Sequence, residues 1–258
     1  MLELQHISFE VPDIMSSMPK QILEDISLTV ADDSFVVITG HNGGGKSTLA
    51  KIIMGIEQPS SGTILFNGED ITHLDITERA QRGIGFAFQN PVRLKGFTVK
   101  DMLRLAMGKD LSTAEACDYL AEVGLCAVDY CQREVNASLS GGELKRIEIA
   151  MLMARNSRLA IFDEPEAGID LWSFHNLINV FGKIRTQGNA SVIIISHQER
   201  ILEIADEIVV ITSGRIEKSG RRDDILPDLL QDSDTCNYFR QADYPLDQPA
   251  RHPVGELV

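Results

Sequence analysis

The chain has 258 residues, of which 43% are hydrophobic and 24% charged, and its formal net charge is −14. Such a composition is typical of a globular protein that is long enough to bury a sizeable core. The acidic excess argues against a nucleic acid or an anionic membrane surface as the partner. No apolar run reaches the roughly 18 residues of a membrane-spanning helix, and the N-terminus has no signal-peptide pattern. The sequence therefore predicts a cytoplasmic protein that does not itself insert into a membrane.

The four cysteines follow no metal-binding pattern. Their positions, Cys117, Cys126, Cys131 and Cys236, match no zinc spacing. Because cytosolic thiols stay reduced, we expect buried or incidental thiols rather than a metal site.

The first third of the chain is predicted to contain strands, turns and two helices. Residues 2–9 and 22–30 alternate apolar with polar side chains, as half-buried strands do. Residues 11–21 between them contain two prolines and predict a loop, in which Met15 and Met18 are incidental or mark a contact surface. The predicted elements are strands 2–9, 22–30 and 35–39, helix 47–56, strand 63–67, a short helix near 77–82 and strand 84–88.

The pattern becomes helical from Thr98 to about Asn136, which predicts a helical lobe, at about 90–157, inserted into an α/β core. Residues 159–162 form an apolar run of the kind that parallel sheets bury. The remaining predicted elements are helix 141–155, strand 159–162, helix 170–185, strand 191–196, helix 198–205 and strands 207–212 and 215–218. Residues 1–240 are then one domain, and the proline-containing segment 241–258 is predicted to be a flexible tail.

A glycine-rich stretch between predicted strand 35–39 and helix 47–56 carries the strongest functional signal. It matches G-x-x-x-x-G-K-S, in which backbone N–H groups and a helix N-terminus cradle phosphates. Lys46 is expected to reach the β- and γ-phosphates, and the Ser47 hydroxyl to ligate Mg²⁺. A glycine-rich turn with a chance lysine is the alternative, which the flanking strand and helix disfavour. The stretch therefore predicts a nucleoside triphosphate site formed by Gly40, His41, Asn42, Gly43, Gly44, Gly45, Lys46, Ser47 and Thr48.

Two acidic residues, Asp163 and Glu164, follow the apolar strand 159–162. Parallel sheets place functional carboxylates at such strand ends. Asp163 is expected to hold Mg²⁺, and Glu164 to polarise the attacking water. A surface acidic pair without function is the alternative.

The segment Ser140-Gly141-Gly142-Glu143 opens helix 141–155. Two glycines at a helix N-terminus can form a second anion site. The segment also fits a structural capping box, with Ser140 as N-cap and Glu143 three residues later. The two interpretations are compatible.

These motifs together resemble the ATP-binding-cassette (ABC) ATPases, over residues 1 to about 230. The resemblance implies an α/β, ABC-type P-loop ATPase fold, with a mostly parallel core sheet, an antiparallel β portion and an inserted helical subdomain. Gln89 matches the glutamine that joins core to lobe and senses Mg²⁺ and water, and Glu164 matches the catalytic glutamate. His197 matches the switch histidine that contacts the γ-phosphate. Without the family, this lone histidine after a strand would be interpreted as structural.

The resemblance also implies a second copy of the chain, or a related chain, as a partner. In this family two subunits enclose two ATP molecules, each held between one phosphate loop and the other subunit's LSGGE segment. Ser140, Gly141, Gly142 and Glu143 would then act across the interface, as would Asp170 in the loop 167–170. Two positions depart from the family, since Val11 stands where an aromatic ring usually stacks on adenine and Ala167 replaces a serine.

A finer resemblance is to the SufC-like ATPase subunits of the SUF iron–sulfur cluster assembly system. It is carried by F-Q-N-P-V at 88–92, S-G-G-E-L-K-R at 140–146 and H-Q-E-R-I-L at 197–202. It implies that ATP-driven dimerisation rearranges a soluble scaffold of the SufB/SufD type, docked near residues 90–106. Pro165 is instead typical of transporter ATPases. The alternative is therefore the nucleotide-binding subunit of a membrane ABC transporter, with the same surface gripping a membrane partner.

Overall fold

A computed structural model describes residues 1–12, 19–136, 138–187 and 190–236. Two predictions, the loop methionines Met15 and Met18 and the tail 241–258, lie outside the described residues. Both stay predictions.

The described residues form ten strands and nine helices. The strands are β1 (Leu2–Val11), β2 (Lys20–Val30), β3 (Phe35–Thr39), β4 (Ser61–Phe66), β5 (Glu69–Asp70), β6 (Ile84–Ala87), β7 (Leu159–Asp163), β8 (Ser191–Ile195), β9 (Glu207–Thr212) and β10 (Arg215–Arg221). The helices are α1 (Lys46–Met54), α2 (Ile76–Gln81), α3 (Val99–Met107), α4 (Thr113–Glu122), α5 (Ala127–Tyr130), α6 (Gly141–Arg155), α7 (Leu171–Gln187), α8 (Glu199–Glu203) and α9 (Arg222–Cys236). None of the helices in these ranges is long and apolar enough to cross a membrane.

The sequence predictions locate every one of these elements except β5 and α9, although α3, α4 and α5 are predicted only together, as the helical region from Thr98 to about Asn136. The other predicted ends differ from the observed ones by three residues or fewer. The predicted loop 11–21 was too long, because Val11 and Lys20 still pair as the last residues of the β1–β2 ladder. Helix α9 escaped prediction because it contains Pro227, which interrupts a helical pattern. Its Ile225 is buried against the main core, so packing outweighs the local signal.

The strands form two sheets. The six-stranded sheet has the order β10-β9-β3-β8-β7-β6, in which only β10 is antiparallel to its neighbour. The other sheet is antiparallel, with the order β2-β1-β4-β5. This arrangement confirms the predicted combination of a mostly parallel core sheet and an antiparallel portion. Parallel strands end at a common edge, and this edge carries the candidate functional residues described below.

The six-stranded sheet lies between two apolar layers. Successive side chains of a strand point to opposite faces, and β3 shows this directly. Val36 and Ile38 pack in the cluster that contains α1 and the antiparallel sheet, whereas Phe35 and Val37 pack in the cluster that contains α3, α4, α6 and α7. All four side chains are buried. The sheet edge is therefore held from both sides by rigid elements.

A fully buried arginine anchors the helix that follows the phosphate loop. The Arg79 guanidinium donates to the carbonyl oxygens of Ile52, Ile53, Thr72 and Leu74, at 2.7 to 3.0 Å. Burial lowers the pKa of Arg79 to about 10, so it remains charged at neutral pH. Because the last carbonyls of a helix lack partners within it, Arg79 satisfies those near the end of α1. The sequence pattern did not indicate this contact.

Candidate functional site

The phosphate loop joins β3 to α1, and glycine is required at both of its ends. Gly40 has φ +125°, and a Cβ atom there would lie 2.1 Å from the carbonyl oxygen of Ile211. Gly45 has φ +97°, and its Cβ would lie 2.5 Å from Cδ2 of Leu23. Neighbouring strands thus exclude any larger residue, and the loop keeps a tight curl with its backbone close to whatever binds there.

Lys46, the first residue of α1, places its ammonium group against the inside of this loop. Nζ donates to the carbonyl oxygens of Gly40 and His41, at 2.8 Å each. Burial lowers the pKa of Lys46, while the nearby charges of Glu164 and Asp163 raise it. The predicted phosphate-binding lysine is therefore positioned within the loop. Of the other predicted loop residues, His41, Asn42 and Gly43 are exposed, Gly44 is buried and Thr48 is half-buried.

Ser47 and Asp163 come together from positions 116 residues apart. Ser47 Oγ donates to Asp163 Oδ1 at 2.9 Å. Burial raises the pKa of Asp163, and the hydrogen bond from Ser47 opposes that shift. A hydroxyl beside a carboxylate fits Mg²⁺, which prefers oxygen ligands and usually keeps only one or two protein carboxylates. Within the described part of the chain no group of three or more His, Cys, Asp and Glu could hold a metal.

The predicted catalytic glutamate contacts the predicted sensing glutamine. Gln89 Nε2 donates to Glu164 Oε2 at 2.6 Å, joining the segment after β6 to the segment after β7. The Glu164 backbone N–H donates to the carbonyl of Ile195, the last residue of β8, at 3.0 Å. Glu164 itself has φ +47°, an uncommon value for a residue with a side chain. His197 lies exposed two residues after β8, at the same edge of the sheet.

The start of α6 confirms the predicted capping box. Ser140 Oγ accepts from the Glu143 backbone N–H at 3.2 Å, and the Ser140 N–H donates to Glu143 Oε2 at 2.6 Å. The Tyr130 hydroxyl donates to the other Glu143 oxygen. Both carboxylate oxygens of Glu143 thus have partners within the chain. Gly141 is exposed, and no atom lies within 4 Å of where its Cβ would be, so this helix N-terminus is open.

Two further positions that the family resemblance singled out, Asp170 and Val11, have local structural roles. The Asp170 carboxylate accepts from the Ser173 backbone N–H at 3.0 Å and from its hydroxyl at 2.6 Å, which caps the first turn of α7. Val11 is the last residue of β1 and pairs with Lys20.

Three buried polar residues near the site were not predicted to be functional. Lys145 on α6 donates to the carbonyl oxygen of Glu164, and Glu166 accepts from Ser196 Oγ at 2.6 Å. Helix α6 is buried on several sides. The periodicity of its apolar residues therefore does not show that a polar residue such as Lys145 is buried. Glu166 gave no signal of its own either, since it stands in an acidic stretch that already contains Asp163 and Glu164.

Comparisons with known proteins decide the family. The family model for the ABC transporter matches residues 23–167, more than half of the chain. An uncharacterized ABC transporter ATP-binding protein of Methanocaldococcus jannaschii is 41% identical over 209 residues, which cover 78% of this chain and 83% of that protein. The chain belongs to the ABC ATPase family.

Further similarities agree with this assignment. The ABC ATPase is 36% identical, over 220 residues, to a probable ATP-dependent transporter of Antithamnion sp., covering 79% of this chain and 86% of that protein. It has the fold of an ATP-binding cassette whose dimeric, post-hydrolysis state was solved with ADP and Pi, with a TM-score of 0.77 at 22% identity. That match covers 86% of this chain and 99% of the solved chain. The predicted Mg²⁺-dependent ATPase activity, with ATP as the bound nucleotide, is thereby confirmed.

The ABC ATPase also has an apolar groove of about 370 Å³ beside the segment that carries Gln89. Its lining includes Phe86, Phe88, Val92, Leu94, Met151 and one carboxylate, Glu148. Glu148 Oε1 accepts from the Phe88 backbone N–H at 3.1 Å. Burial raises the pKa of Glu148 to about 7, although the Phe88 hydrogen bond and the charge of Lys145 oppose the shift.

Glu148 should make the stability of the ABC ATPase depend on pH. The folded protein binds this proton more tightly than the unfolded chain, whose carboxyl has the ordinary pKa of 4.5. The contribution of Glu148 to the free energy of unfolding is thus most favourable below pH 4.5. It is lost as pH rises towards about 7, by at most about 1.4 kcal/mol per pH unit. Glu148→Gln keeps an oxygen acceptor for Phe88 but cannot titrate. Urea denaturation at pH 5 and pH 8 should show the wild type losing stability relative to the variant. A constant difference between the two proteins would contradict the shift.

Proposed function

We propose that this ABC ATPase hydrolyses ATP between two copies of the chain and transmits the resulting movement to a partner protein docked in the apolar groove. The observation that carries the proposal is the contact between Gln89 and Glu164 at 2.6 Å. It holds a carboxylate at the sheet edge where Ser47 and Asp163 meet beside the phosphate loop.

Each residue at this edge has a distinct task in the proposed reaction. Lys46 and the loop amides bind the phosphates of ATP, and Ser47, Asp163 and Gln89 would hold Mg²⁺. The metal, when bound, supplies positive charge that neutralises the phosphate oxygens. Glu164 takes a proton from a water molecule as the water oxygen attacks the γ-phosphorus. The bond between that phosphorus and the bridging oxygen breaks, and ADP keeps the electron pair. His197 donates a hydrogen bond to the γ-phosphate.

The second copy would contribute the start of its α6 to this ATP. Support comes from the open helix N-terminus around Gly141, where N–H groups and the helix dipole favour an anion. Ser140, Gly142 and Glu143 belong to the same surface. Asp170 would fix the end of the interface loop 167–170, because its carboxylate caps the first turn of α7. The dimeric state of the solved cassette with the same fold supports this arrangement.

For the partner, we favour a membrane protein, which makes this chain the cytoplasmic nucleotide-binding subunit of an ABC transporter. The names of the two relatives given above refer to transporters, and Pro165 fits that class. A second candidate is a soluble SUF scaffold of the SufB/SufD type. It is favoured by the SufC-like stretches 88–92, 140–146 and 197–202 and by Val11 in place of an aromatic residue. The groove lies beside residues 90–106, where both candidates would dock.

Affinity capture from the native cells tests both the groove and the partner class. Tagged wild type is compared with Val92→Glu in the groove and with Leu230→Glu, an exposed apolar residue on α9 that lies outside both the groove and residues 90–106; the two side chains are 56% and 37% exposed. A partner retained by wild type and Leu230→Glu but lost by Val92→Glu supports docking in the groove. A multi-span protein released only by detergent supports the transporter. A soluble partner that holds an iron–sulfur cluster supports the scaffold and overturns the transporter. Equal capture by all three proteins contradicts the groove.

A further inference from the structure

A carboxylate outside the proposed reaction chemistry lies buried beneath the two segments that carry Glu164 and His197. Glu166 is 9% exposed, and its Oε1 accepts from Ser196 Oγ at 2.6 Å. Its Oε2 is buried and has no hydrogen-bond partner among the described residues. A buried carboxylate with an open oxygen is costly to the fold, so its presence calls for an explanation other than stability.

Ser196 links this carboxylate to the backbone around His197. Ser196 is 1% exposed, and its Oγ also accepts from the Gln198 backbone N–H at 3.0 Å. Its own N–H donates to the carbonyl of Ile38 at 3.1 Å. His197 is therefore held between two anchored residues, while its own side chain stays exposed. The hydroxyl can bridge Glu166 and Gln198 in this way because it donates to one and accepts from the other.

Lys145 holds the segment that carries both Glu164 and Glu166 against α6. Lys145 is 4% exposed and donates to the Glu164 carbonyl oxygen. Burial lowers the pKa of Lys145, and the charge of Glu166 is the largest influence that opposes this shift. Burial raises the pKa of Glu166, and Lys145 is among the groups that oppose it. Lys145 thus ties α6 to the backbone of the segment after β7, on which Glu166 also lies.

We propose that Glu166 is a positioning residue for ATP hydrolysis, which fixes the backbone around His197 through Ser196 and so joins that backbone to the segment of Glu164, which Lys145 holds by its carbonyl. The inference rests on the proposed role of His197 at the γ-phosphate. Because a small displacement of an aligned group costs much of its effect on rate, loss of this link lowers turnover without weakening nucleotide binding.

The test measures single-turnover ATP hydrolysis with the full chain in excess, together with the Kd for ATP and the Tm. Ser196→Ala and Glu166→Ala should each lower the rate about tenfold, with Kd unchanged within about threefold. The double variant should be no slower than the slower single variant, since both changes break one link. Glu166→Gln keeps an oxygen for Ser196 and should restore the rate to within about threefold of wild type. A residue that only supports the fold would lower Tm and show no such rescue.

His197→Ala separates this inference from the proposed function. If His197→Ala leaves the rate unchanged, the proposed role of His197 fails and the inference fails with it. If His197→Ala abolishes hydrolysis but Ser196→Ala and Glu166→Ala stay within about twofold of wild type, only the inference is overturned. If the rate losses of the two single variants multiply in the double variant, the inference is also overturned. If Glu166→Ala does not fold, the test rests on Ser196→Ala and Glu166→Gln. Slow hydrolysis by Ser196→Ala together with a near-normal rate in Glu166→Gln supports the link, and any other pair of results overturns it.

Discussion

Glu164→Gln is expected to bind ATP normally and to hydrolyse it at least about 100-fold more slowly than the wild type. The amide has nearly the same shape as the carboxylate and can still accept from Gln89, so the local structure should persist. It cannot accept the proton of the attacking water at neutral pH. Phosphate release under single-turnover conditions measures the rate, and isothermal titration measures ATP affinity.

The same variant should also accumulate as an ATP-bound dimer, because the step that opens the dimer is blocked. Light scattering with ATP is expected to give twice the monomer mass of 28.5 kDa. Glu57→Gln, a half-buried carboxylate after α1, serves as the matched control and should behave like the wild type. Unchanged turnover in Glu164→Gln would remove Glu164 from the catalytic role.

Lys46→Ala should lower the affinity for ATP by about 100-fold, since a charge-assisted contact to phosphate is worth roughly 1.5–3 kcal/mol. The Lys46 ammonium already lies against the carbonyls of Gly40 and His41, inside the loop. A phosphate group there would exchange these neutral partners for a charged one. Titration of ATP into the variant and the wild type measures the loss.

Lys20→Ala, a change of an exposed lysine at the start of β2, controls for the loss of one positive charge from an acidic protein. It should bind ATP as tightly as the wild type does. Circular dichroism should show that Lys46→Ala is folded, so that weak binding is not caused by unfolding. Retained micromolar affinity in a folded Lys46→Ala protein would refute the phosphate-loop assignment.

Two adjacent residues connect the apolar groove to the site of hydrolysis. The Phe88 backbone N–H donates to Glu148 in the groove, and the Gln89 side chain donates to Glu164. A partner that shifts the groove would therefore act on the same short segment that contacts Glu164, the proposed catalytic carboxylate. This is the physical path by which docking could change the rate of hydrolysis.

The predictions that came from the sequence were most accurate where the chemistry is local. The phosphate loop was predicted because glycines, lysine and serine stand at consecutive positions between a strand and a helix. The capping box at Ser140 and Glu143 was predicted for the same reason, since its two residues are three positions apart. Helix α9 escaped prediction because its Pro227 contradicts the local pattern, and its burial depends on packing against α8, β9 and β10.

The sequence by itself thus determined the strand–loop–helix unit, the acidic strand end and the family to which they belong. Only the tertiary structure decided which side chains meet there. Gln89 reaches Glu164 across 75 residues of sequence, and Ser47 reaches Asp163 across 116. The layer formed by Lys145, Glu166 and Ser196 likewise joins three separate elements. Such contacts follow from the order of parallel strands in the sheet, a long-range property that residue spacing does not encode.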